Sequence, residues 1–200
     1  MRGLNLTMRS ERRQTKLRRV LERRQPDLTV VLENVHDPHN VSAILRSADA
    51  VGICQVQLVY TSEKFPRVGK KSSASAGKWL GRRKFSSIEE CYRVLRGEGF
   101  KVYATSLTEG RQTLYDLDLT KKVGLVFGNE HRGVSDDTAR LADGVFIIPM
   151  MGMIQSLNVS VACAVSLYEA LRQRLDAGHY RVAKFTPEEL EKLREDWLKK

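Results

Sequence analysis

Residues 28 to 52 of the chain read LTVVLENVHDPHNVSAILRSADAVG. Its first part, LTVVLENV, is a run rich in β-branched residues between Pro26 and the turn at residues 36–38, which predicts a buried strand. After the turn, Asn40 is the predicted N-cap of a helix that ends before Gly52. The apolar residues of this helix recur at helical spacing: Val41, Ile44, Leu45, Ala48 and Val51. The stretch therefore predicts a strand, a loop and a helix in succession.

The same alternation continues beyond residue 52. Further strands are predicted near residues 54–60, 100–105, 123–127 and 145–148, and further helices near 88–95, from 135, and from about 158 to 177. Strands that alternate with helices are typical of a parallel sheet covered by helices. The sequence therefore predicts an α/β fold with a mostly parallel sheet.

Both ends of the chain predict additional helices. Residues 9–25 form an amphipathic, Arg-rich pattern that stops before Pro26, and Thr186 with Pro187 marks the start of a last polar helix. A length of 200 residues and a mass of 22.7 kDa fit one core with short appendages. We therefore expect a basic N-terminal helical extension at 1–25, one domain at 26–178 and a C-terminal helical extension at 179–200.

Positive charge is concentrated in two stretches. The chain has 34 Lys and Arg against 24 Asp and Glu, a net charge of +10. Residues 1–25 carry +7 and residues 64–84 carry +8, so the other positions together carry −5. Each stretch alone could be a solvated helix face. Two basic stretches on a slightly acidic body favour binding of a polyanion such as nucleic acid.

Several classes of protein and site are excluded by the sequence. The three cysteines are far apart and have no metal-ligand spacing, and His36 with His39 lacks a third ligand, so no metal site is expected. The Arg-rich N-terminus does not read as a secretory signal, so we expect a protein of the reducing cytoplasm. Residues 144–168 lack formal charge, but Pro149, Gly152 and several polar residues favour a strand, a loop and a core helix over a membrane span.

Three loops follow predicted strands, at the edge where open α/β sheets bind ligands. They read NVHDPHNVSAILRS (34–47), VFGNEHRGVS (126–135) and IIPMMGMIQSLNVSVA (147–162). The first contains an arginine in an otherwise apolar helix, the second a carboxylate between two glycines, and the third a few polar groups among apolar residues. The pattern alone leaves a structural alternative open for each loop. These alternatives are a surface arginine in the first, a simple turn in the second, and a capped, Met-rich core segment in the third.

Taken together, the three loops resemble the three motifs of the SpoU branch of the SPOUT superfamily of RNA 2′-O-methyltransferases. The matching residues are NVSAILR after a His-Pro-His-type turn, FGNExxGVS and IPMxGMxQSLNVSVA, and they cover about residues 26–178. The segment QPDLTVVLENVHDPHN beside a basic N-terminal helix resembles the TrmH subgroup, which methylates the ribose of guanosine 18 in the tRNA D-loop. The resemblance therefore implies a tRNA guanosine 2′-O-methyltransferase.

The resemblance also implies an architecture and a cofactor. Enzymes of this family are homodimers with a C-terminal deep trefoil knot, an exception to the rule that protein chains are not knotted. S-adenosylmethionine lies in the knot, held mainly by backbone groups of three loops. The positions that match this site are Thr105, Gly128, Ile148, Met150 and Leu157.

Five residues match the catalytic motifs. Arg46 corresponds to the catalytic arginine of the family. The resemblance implies that Asn40 holds Arg46 or the ribose, that Glu130 orders the second loop, and that Ser156 and Asn158 orient the third loop and the arginine of the partner subunit. Because arginine keeps its proton near neutral pH, stabilisation of the developing alkoxide, or action through a neighbouring phosphate, fits better than a role as base. The route of the proton stays open.

Basic residues in both stretches and on the last core helix are candidate contacts to tRNA phosphates. They are Arg12, Arg13, Arg18, Arg19, Lys78, Arg82, Arg83, Arg172 and Arg174. Two alternatives stay open: the same chemistry on ribosomal RNA or on a tRNA anticodon, and an RNA-binding protein without catalysis. The intact Asn40, Arg46, Glu130 and Asn158 argue against the second.

Overall fold

The computed structural model describes residues 2–66, 76–106 and 112–200, with the backbone alone for residues 2–10. Residues 67–75 of the second basic stretch therefore lie outside the described residues. The helices are α1 (Arg2–Leu21), α2 (Pro38–Ala50), α3 (Ala76–Trp79), α4 (Ile88–Gly97), α5 (Asp136–Leu141), α6 (Val159–Asp176) and α7 (Pro187–Leu198). The strands are β1 (Leu28–Glu33), β2 (Gln55–Val59), β3 (Gly81–Phe85), β4 (Lys101–Thr105), β5 (Gln112–Thr113), β6 (Val123–Phe127) and β7 (Gly144–Ile147).

The strands form one sheet in the order β3-β2-β1-β6-β4-β7-β5, and every strand pair is parallel. The predicted α/β fold with a parallel sheet is confirmed. Because the strands are parallel, the loops after β1, β6, β4 and β7 leave the sheet at the same edge, in neighbouring positions. The deep trefoil knot implied by the resemblance stays a prediction.

The sheet is covered by helices on both faces. Alternate residues of β1 point to opposite faces of the sheet, as the pleat of a strand requires. The apolar residues of β1 therefore contribute to two hydrophobic cores, one on each face. On one face Leu28 and Leu32 pack with residues of α2 and α6, among them Ile44 and Leu167. On the other face Val31 packs with residues of α4. Burial on both faces explains why this strand is apolar at nearly every position.

Helix α2 begins earlier than the sequence predicts. Its N-cap is Asp37, whose side chain accepts a hydrogen bond from the backbone N–H of His39, and Pro38 is the first helical residue. Proline is favoured at this position because its fixed φ suits a helix and its missing N–H costs nothing there. The expectation that Asn40 is the N-cap is therefore wrong. Asn40 lies inside the first turn, where its side chain is available for other contacts.

Three short elements are absent from the sequence prediction. Strand β3 reads GRRKF and lies at the edge of the sheet, where its charged side chains reach solvent instead of forming an apolar run. Helix α3 has four residues and strand β5 has two. Elements this short or this polar carry little periodicity, which is why the sequence pattern misses them.

The two terminal helices pack against each other. Leu17 and Leu21 of α1 form a small cluster with Trp197 of α7. The Trp197 ring also contacts Trp79, with 4.8 Å between the ring centroids. Helices α1 and α7 therefore share one apolar contact surface.

Candidate active site

The carboxylate of Glu130 joins the loop after β6 to the loop after β1. It accepts hydrogen bonds from the backbone N–H groups of His36 (3.0 Å) and Asp37 (3.1 Å) and from the side-chain amide of Asn40 (2.9 Å). The bonded residues are 90 or more positions apart in sequence, but β1 and β6 are paired neighbours in the sheet. The contact therefore fixes the start of α2 against the second loop.

Asn40 extends this contact to the third loop. Its side-chain oxygen accepts a hydrogen bond from the amide of Asn158 at 3.0 Å. Asn158 is the N-cap of α6, and its own oxygen accepts from the backbone N–H and the hydroxyl of Ser160. Glu130, Asn40 and Asn158 thus form one chain of hydrogen bonds, here named the carboxyl-edge network, that connects all three loops.

The second loop needs glycine at its first position. A Cβ atom on Gly128 would lie 2.0 Å from the carbonyl oxygen of Gly133, far inside any allowed contact. The turn between them is closed by two backbone hydrogen bonds of 2.8 Å between Asn129 and Gly133. This close approach presents Glu130 to the first loop.

The environment of Glu130 keeps its carboxyl group charged. Partial burial acts to raise its pKa, but the hydrogen bonds from Asn40 and from the backbone N–H groups of His36 and Asp37 outweigh burial, so the pKa lies below its usual value. Both carboxylate oxygens are already acceptors. Glu130 is therefore suited to holding the loops together and not to accepting a proton from a substrate.

Arg46 lies apart from this network. It is exposed on α2, and it has no hydrogen-bond or ion-pair partner among the residues that the structure describes. Asn40 therefore does not hold Arg46 within this chain, because its side chain binds Glu130 and Asn158. Ser156 is likewise exposed and has no partner in the described part of the chain. Both side chains are available to an external group.

The three loops lie within a region that matches a known protein family. The profile of the SpoU rRNA Methylase family matches residues 27–168, which include all three loops. The chain belongs to the SpoU rRNA Methylase family. Its similarity to individual relatives extends beyond these residues, over nearly the whole chain.

Two relatives and two solved structures illustrate the similarity. The chain is 48% identical over 192 residues to a tRNA (guanosine(18)-2′-O)-methyltransferase of Thermus thermophilus, covering 96% of this chain and 98% of the relative. The enzyme of that name from Escherichia coli K12 is 44% identical over 161 residues, covering 80% and 70%. The A. aeolicus TrmH/SpoU tRNA modifying enzyme superposes with a TM-score of 0.88 at 38% identity, covering 94% and 95%. The SpoU methyltransferase AviRb from Streptomyces viridochromogenes, solved with AdoMet, gives 0.69 at 28%, covering 76% and 62%.

The five residues that match the cofactor site of the SpoU family lie at one edge of the sheet. Thr105 ends β4, Gly128 follows β6, and Ile148 and Met150 follow β7, and these three strands are adjacent in the order β6-β4-β7. Leu157 precedes the N-cap of α6. Ile148, Met150 and Leu157 are half-buried. Apolar side chains beside the polar backbone groups of loops are suited to a nucleoside-containing ligand.

Most of the nine candidate RNA contacts reach solvent, but they differ in their partners. Arg12, Arg13 and Arg19 are exposed on α1 without ion-pair partners among the described residues, whereas Arg18 pairs with Glu22 at 2.9 Å. Lys78 and Arg82 are exposed near β3. Two more are held by carboxylates: Arg83 by Glu98, and Arg172 by Glu169 and Asp176.

The prediction that Arg174 contacts an RNA phosphate is contradicted by its position in the structure. Its side chain is completely buried, so it is not positioned to contact an RNA phosphate. Its guanidinium donates to the carboxylate and the backbone carbonyl of Asp27, to Gln25, and to the carbonyls of Leu119 and Lys121. All five N–H donors of an arginine are thereby used. Arg174 has a structural role at the amino ends of β1 and β6.

Sequence reasoning missed a second set of contacts around the same loops. Asn34 has a left-handed backbone, with φ of 51°, and its carbonyl accepts from the side chain of Asn129 at 2.9 Å. The carboxylate of Glu33 accepts from the backbone N–H and hydroxyl of Ser135, the N-cap of α5. Asparagine is enriched in the left-handed region, so an Asn directly after a predicted strand is the signal that could have marked this turn.

The described residues form neither a metal-binding cluster nor a membrane-spanning helix. No group of three or more His, Cys, Asp or Glu residues there could hold a metal ion. None of the helices in that part of the chain is both long enough and apolar enough to span a membrane. Residues 144–168 form β7, a loop and the first half of α6.

Proposed function

We propose that the chain transfers a methyl group from S-adenosylmethionine to the 2′-oxygen of a ribose in tRNA, at guanosine 18 of the D-loop. The observation that carries this proposal is the carboxyl-edge network, which joins the three motif loops while Arg46 stays exposed and without a partner in the described part of the chain. The named activity of the Thermus thermophilus relative, which matches almost end to end, supports the choice of substrate and position.

The chemistry requires positioning and charge stabilisation. The bound cofactor supplies an electrophilic methyl group on a sulfonium. When it is bound, its methyl carbon would pass to the ribose 2′-oxygen, the electrons of the broken carbon–sulfur bond would stay on sulfur, and the hydroxyl proton would be released to solvent. A ribose hydroxyl is a poor nucleophile near neutral pH, so negative charge that develops on its oxygen must be stabilised as it attacks.

Arg46 is the residue best suited to that stabilisation. Its guanidinium is exposed and unpartnered within the described residues, so it can be directed at an alkoxide or at a neighbouring phosphate. Glu130 is a poor candidate for the base, because its pKa is lowered and its oxygens are occupied. Glu130, Asn40 and Asn158 instead hold the loops in the geometry that the reaction needs.

The cofactor would be held by the loops after β4, β6 and β7. Thr105, Gly128, Ile148, Met150 and Leu157 offer half-buried apolar groups and backbone polar groups at one edge of the sheet. Thr105 is itself fixed, since its hydroxyl donates to the carbonyl of Val126 at 3.1 Å. This combination suits an adenosine and a short polar chain.

The working unit is proposed to be a homodimer in the cytoplasm. Helix α6 exposes Val161, Tyr168 and Leu175 at seven-residue intervals, which places them along one face. The preceding loop exposes Met151 and Met153 almost completely. Exposed apolar groups on this scale favour a protein interface. An Arg46 that does not contact the network of its own chain is consistent with action at the site of the partner subunit.

The test is methyl transfer from labelled S-adenosylmethionine to defined RNAs. We expect label in an unmodified tRNA transcript and none in the same transcript carrying 2′-deoxyguanosine at position 18, which lacks the accepting oxygen. Equal label in the deoxy transcript would exclude guanosine 18 as the methylated nucleotide. Label confined to ribosomal RNA would exclude tRNA as substrate, and RNA binding without any label would favour a non-catalytic protein.

A further inference from the structure

An arginine outside the predicted set stands at the rim of the site. Arg132 lies two residues after Glu130, and its side chain is 62% exposed. One terminal nitrogen donates to the Ser62 hydroxyl at 3.3 Å and to the Glu63 carboxylate at 3.1 Å. Its other two nitrogens have no hydrogen-bond partner among the described residues. The guanidinium is therefore fixed in place while most of its donors stay available.

The loop that holds Arg132 is itself held by Asn34. The side-chain oxygen of Asn34 accepts from the backbone N–H groups of Thr61, Ser62 and Glu63 at 2.9, 3.2 and 3.2 Å. Its amide donates to the Thr61 hydroxyl at 3.1 Å. One side chain thus orders the loop after β2.

This loop is attached to the carboxyl-edge network. Glu63 lies 3.3 Å from the ring of His36, whose backbone N–H binds Glu130. The carbonyl of Asn34 accepts from Asn129, the residue before Glu130. Arg132 is consequently fixed relative to the loops that would carry out methyl transfer.

The contact between Arg132 and Glu63 has little value for stability alone. Exposed ion pairs contribute little to the free energy of unfolding, because water screens their charges and their long side chains lose freedom. A guanidinium that is already ordered loses less side-chain freedom when it binds a phosphate, and its planar donors suit phosphate oxygens. The fixed position of the Arg132 guanidinium is therefore better explained by a role in binding a phosphate than by a role in stabilising the fold.

We propose that Arg132 contacts a backbone phosphate of the substrate RNA and that Asn34 is a positioning residue that holds it there through the loop after β2. This inference rests on the proposed function, because it requires an RNA substrate. It adds a contact at the rim of the site to the candidate RNA contacts on α1.

The experiment measures binding of an unmodified tRNA transcript over a range of salt concentrations. For Arg132→Ala we expect about tenfold weaker binding and a plot of log affinity against log salt that is shallower by about 0.7 to 0.9. S-adenosylmethionine affinity should not change. Arg140→Ala is the matched control, since Arg140 is similarly exposed and pairs with Asp137 on α5. A slope for Arg132→Ala equal to that of Arg140→Ala would overturn the proposal.

A second variant tests the role of Asn34. Asn34→Gly retains the left-handed backbone and removes only the side chain. We expect a smaller loss of tRNA affinity than for Arg132→Ala, and no further loss when the two are combined. Additive losses would show that Asn34 does not act through Arg132. Absence of tRNA binding by the unaltered protein would instead count against the proposed function.

Discussion

Two polar clusters lie at opposite ends of the strands of the same sheet, one at the carboxyl ends and one at the amino ends. The carboxyl-edge network of Glu130, Asn40 and Asn158 joins three loops with one charged group and two neutral amides. The amino-edge cluster consists of Arg174, Asp27, Lys184 and His179. There Arg174 and Lys184 both bind the Asp27 carboxylate, and Lys184 lies 2.9 Å from the His179 ring.

The clusters differ in what they leave free. At the amino edge, all five donors of Arg174 are used and the side chain is completely buried. At the carboxyl edge, the network is satisfied internally, but Arg46 on α2 and Ser156 in the third loop are exposed and unpartnered within the described residues. The first arrangement is suited to stability and the second to binding and catalysis.

The largest expected effect is that of Arg46→Ala. Loss of the exposed guanidinium should reduce kcat by about 100- to 1,000-fold or more, the range for removal of one group that stabilises developing charge. The melting temperature and the affinity for S-adenosylmethionine should stay nearly unchanged, because Arg46 has no partner in the described residues. Single-turnover methyl transfer and calorimetry measure the two quantities. Equal loss of activity and cofactor binding would assign Arg46 a structural role.

Arg174→Ala should have the opposite pattern. Removal of one partner of a buried ion pair costs about 3–5 kcal/mol, which corresponds to a fall in Tm of roughly 6–20 °C for a chain of this size. The control is Arg172→Ala, two residues away, whose guanidinium is exposed and whose loss should matter little, since the less exposed partner Glu169 also accepts from Gln173. Thermal unfolding checks both. Comparable Tm values for the two variants would contradict the distinction between the clusters.

Arg46 and Arg174 show which features of the protein the sequence could predict and which it could not. The β-branched run at 28–33 and the helical spacing after it correctly predicted β1 and α2, apart from the start of α2. The three motifs selected the residues of the network. The burial of Arg174 was not predictable, because its acceptors at Asp27, Leu119 and Lys121 are more than 50 residues away in sequence. Similarly, Arg24 counts toward the basic N-terminal stretch but is buried against Asp49.

Glu130→Ala should have an intermediate effect. Three donors lose their shared acceptor, and a hydrogen bond to a charged group contributes about 1.5–3 kcal/mol, so kcat/KM should fall roughly 10- to 100-fold. Asp137→Asn on α5 is the control, since it alters an exposed carboxylate away from the loops. Steady-state methyl transfer measures the effect. Unchanged kinetics in Glu130→Ala would show that the three loops keep their arrangement without the network.

The smallest expected effect is a difference in pH dependence between the two clusters. Burial, together with the charges of Lys184 and Arg174, lowers the pKa of His179, so the folded protein favours the neutral ring that can accept from Lys184. Below the unfolded value of about 6.5, the unfolded chain binds more protons, and stability should fall as the pH falls. The lowered pKa of Glu130 acts only further into the acid range: its contribution is present above its unfolded value of 4.5 and is lost as the pH drops through the folded value.

His179→Asn isolates the amino-edge contribution, because asparagine offers an acceptor that does not titrate. We expect the unfolding free energy of this variant, measured in urea, to vary less between about pH 7 and pH 5.5 than that of the unaltered protein. Methyl transfer corrected for the folded fraction should show no such difference, since the carboxyl-edge network does not titrate in that range. An equal pH slope of stability in both proteins would remove His179 as the cause.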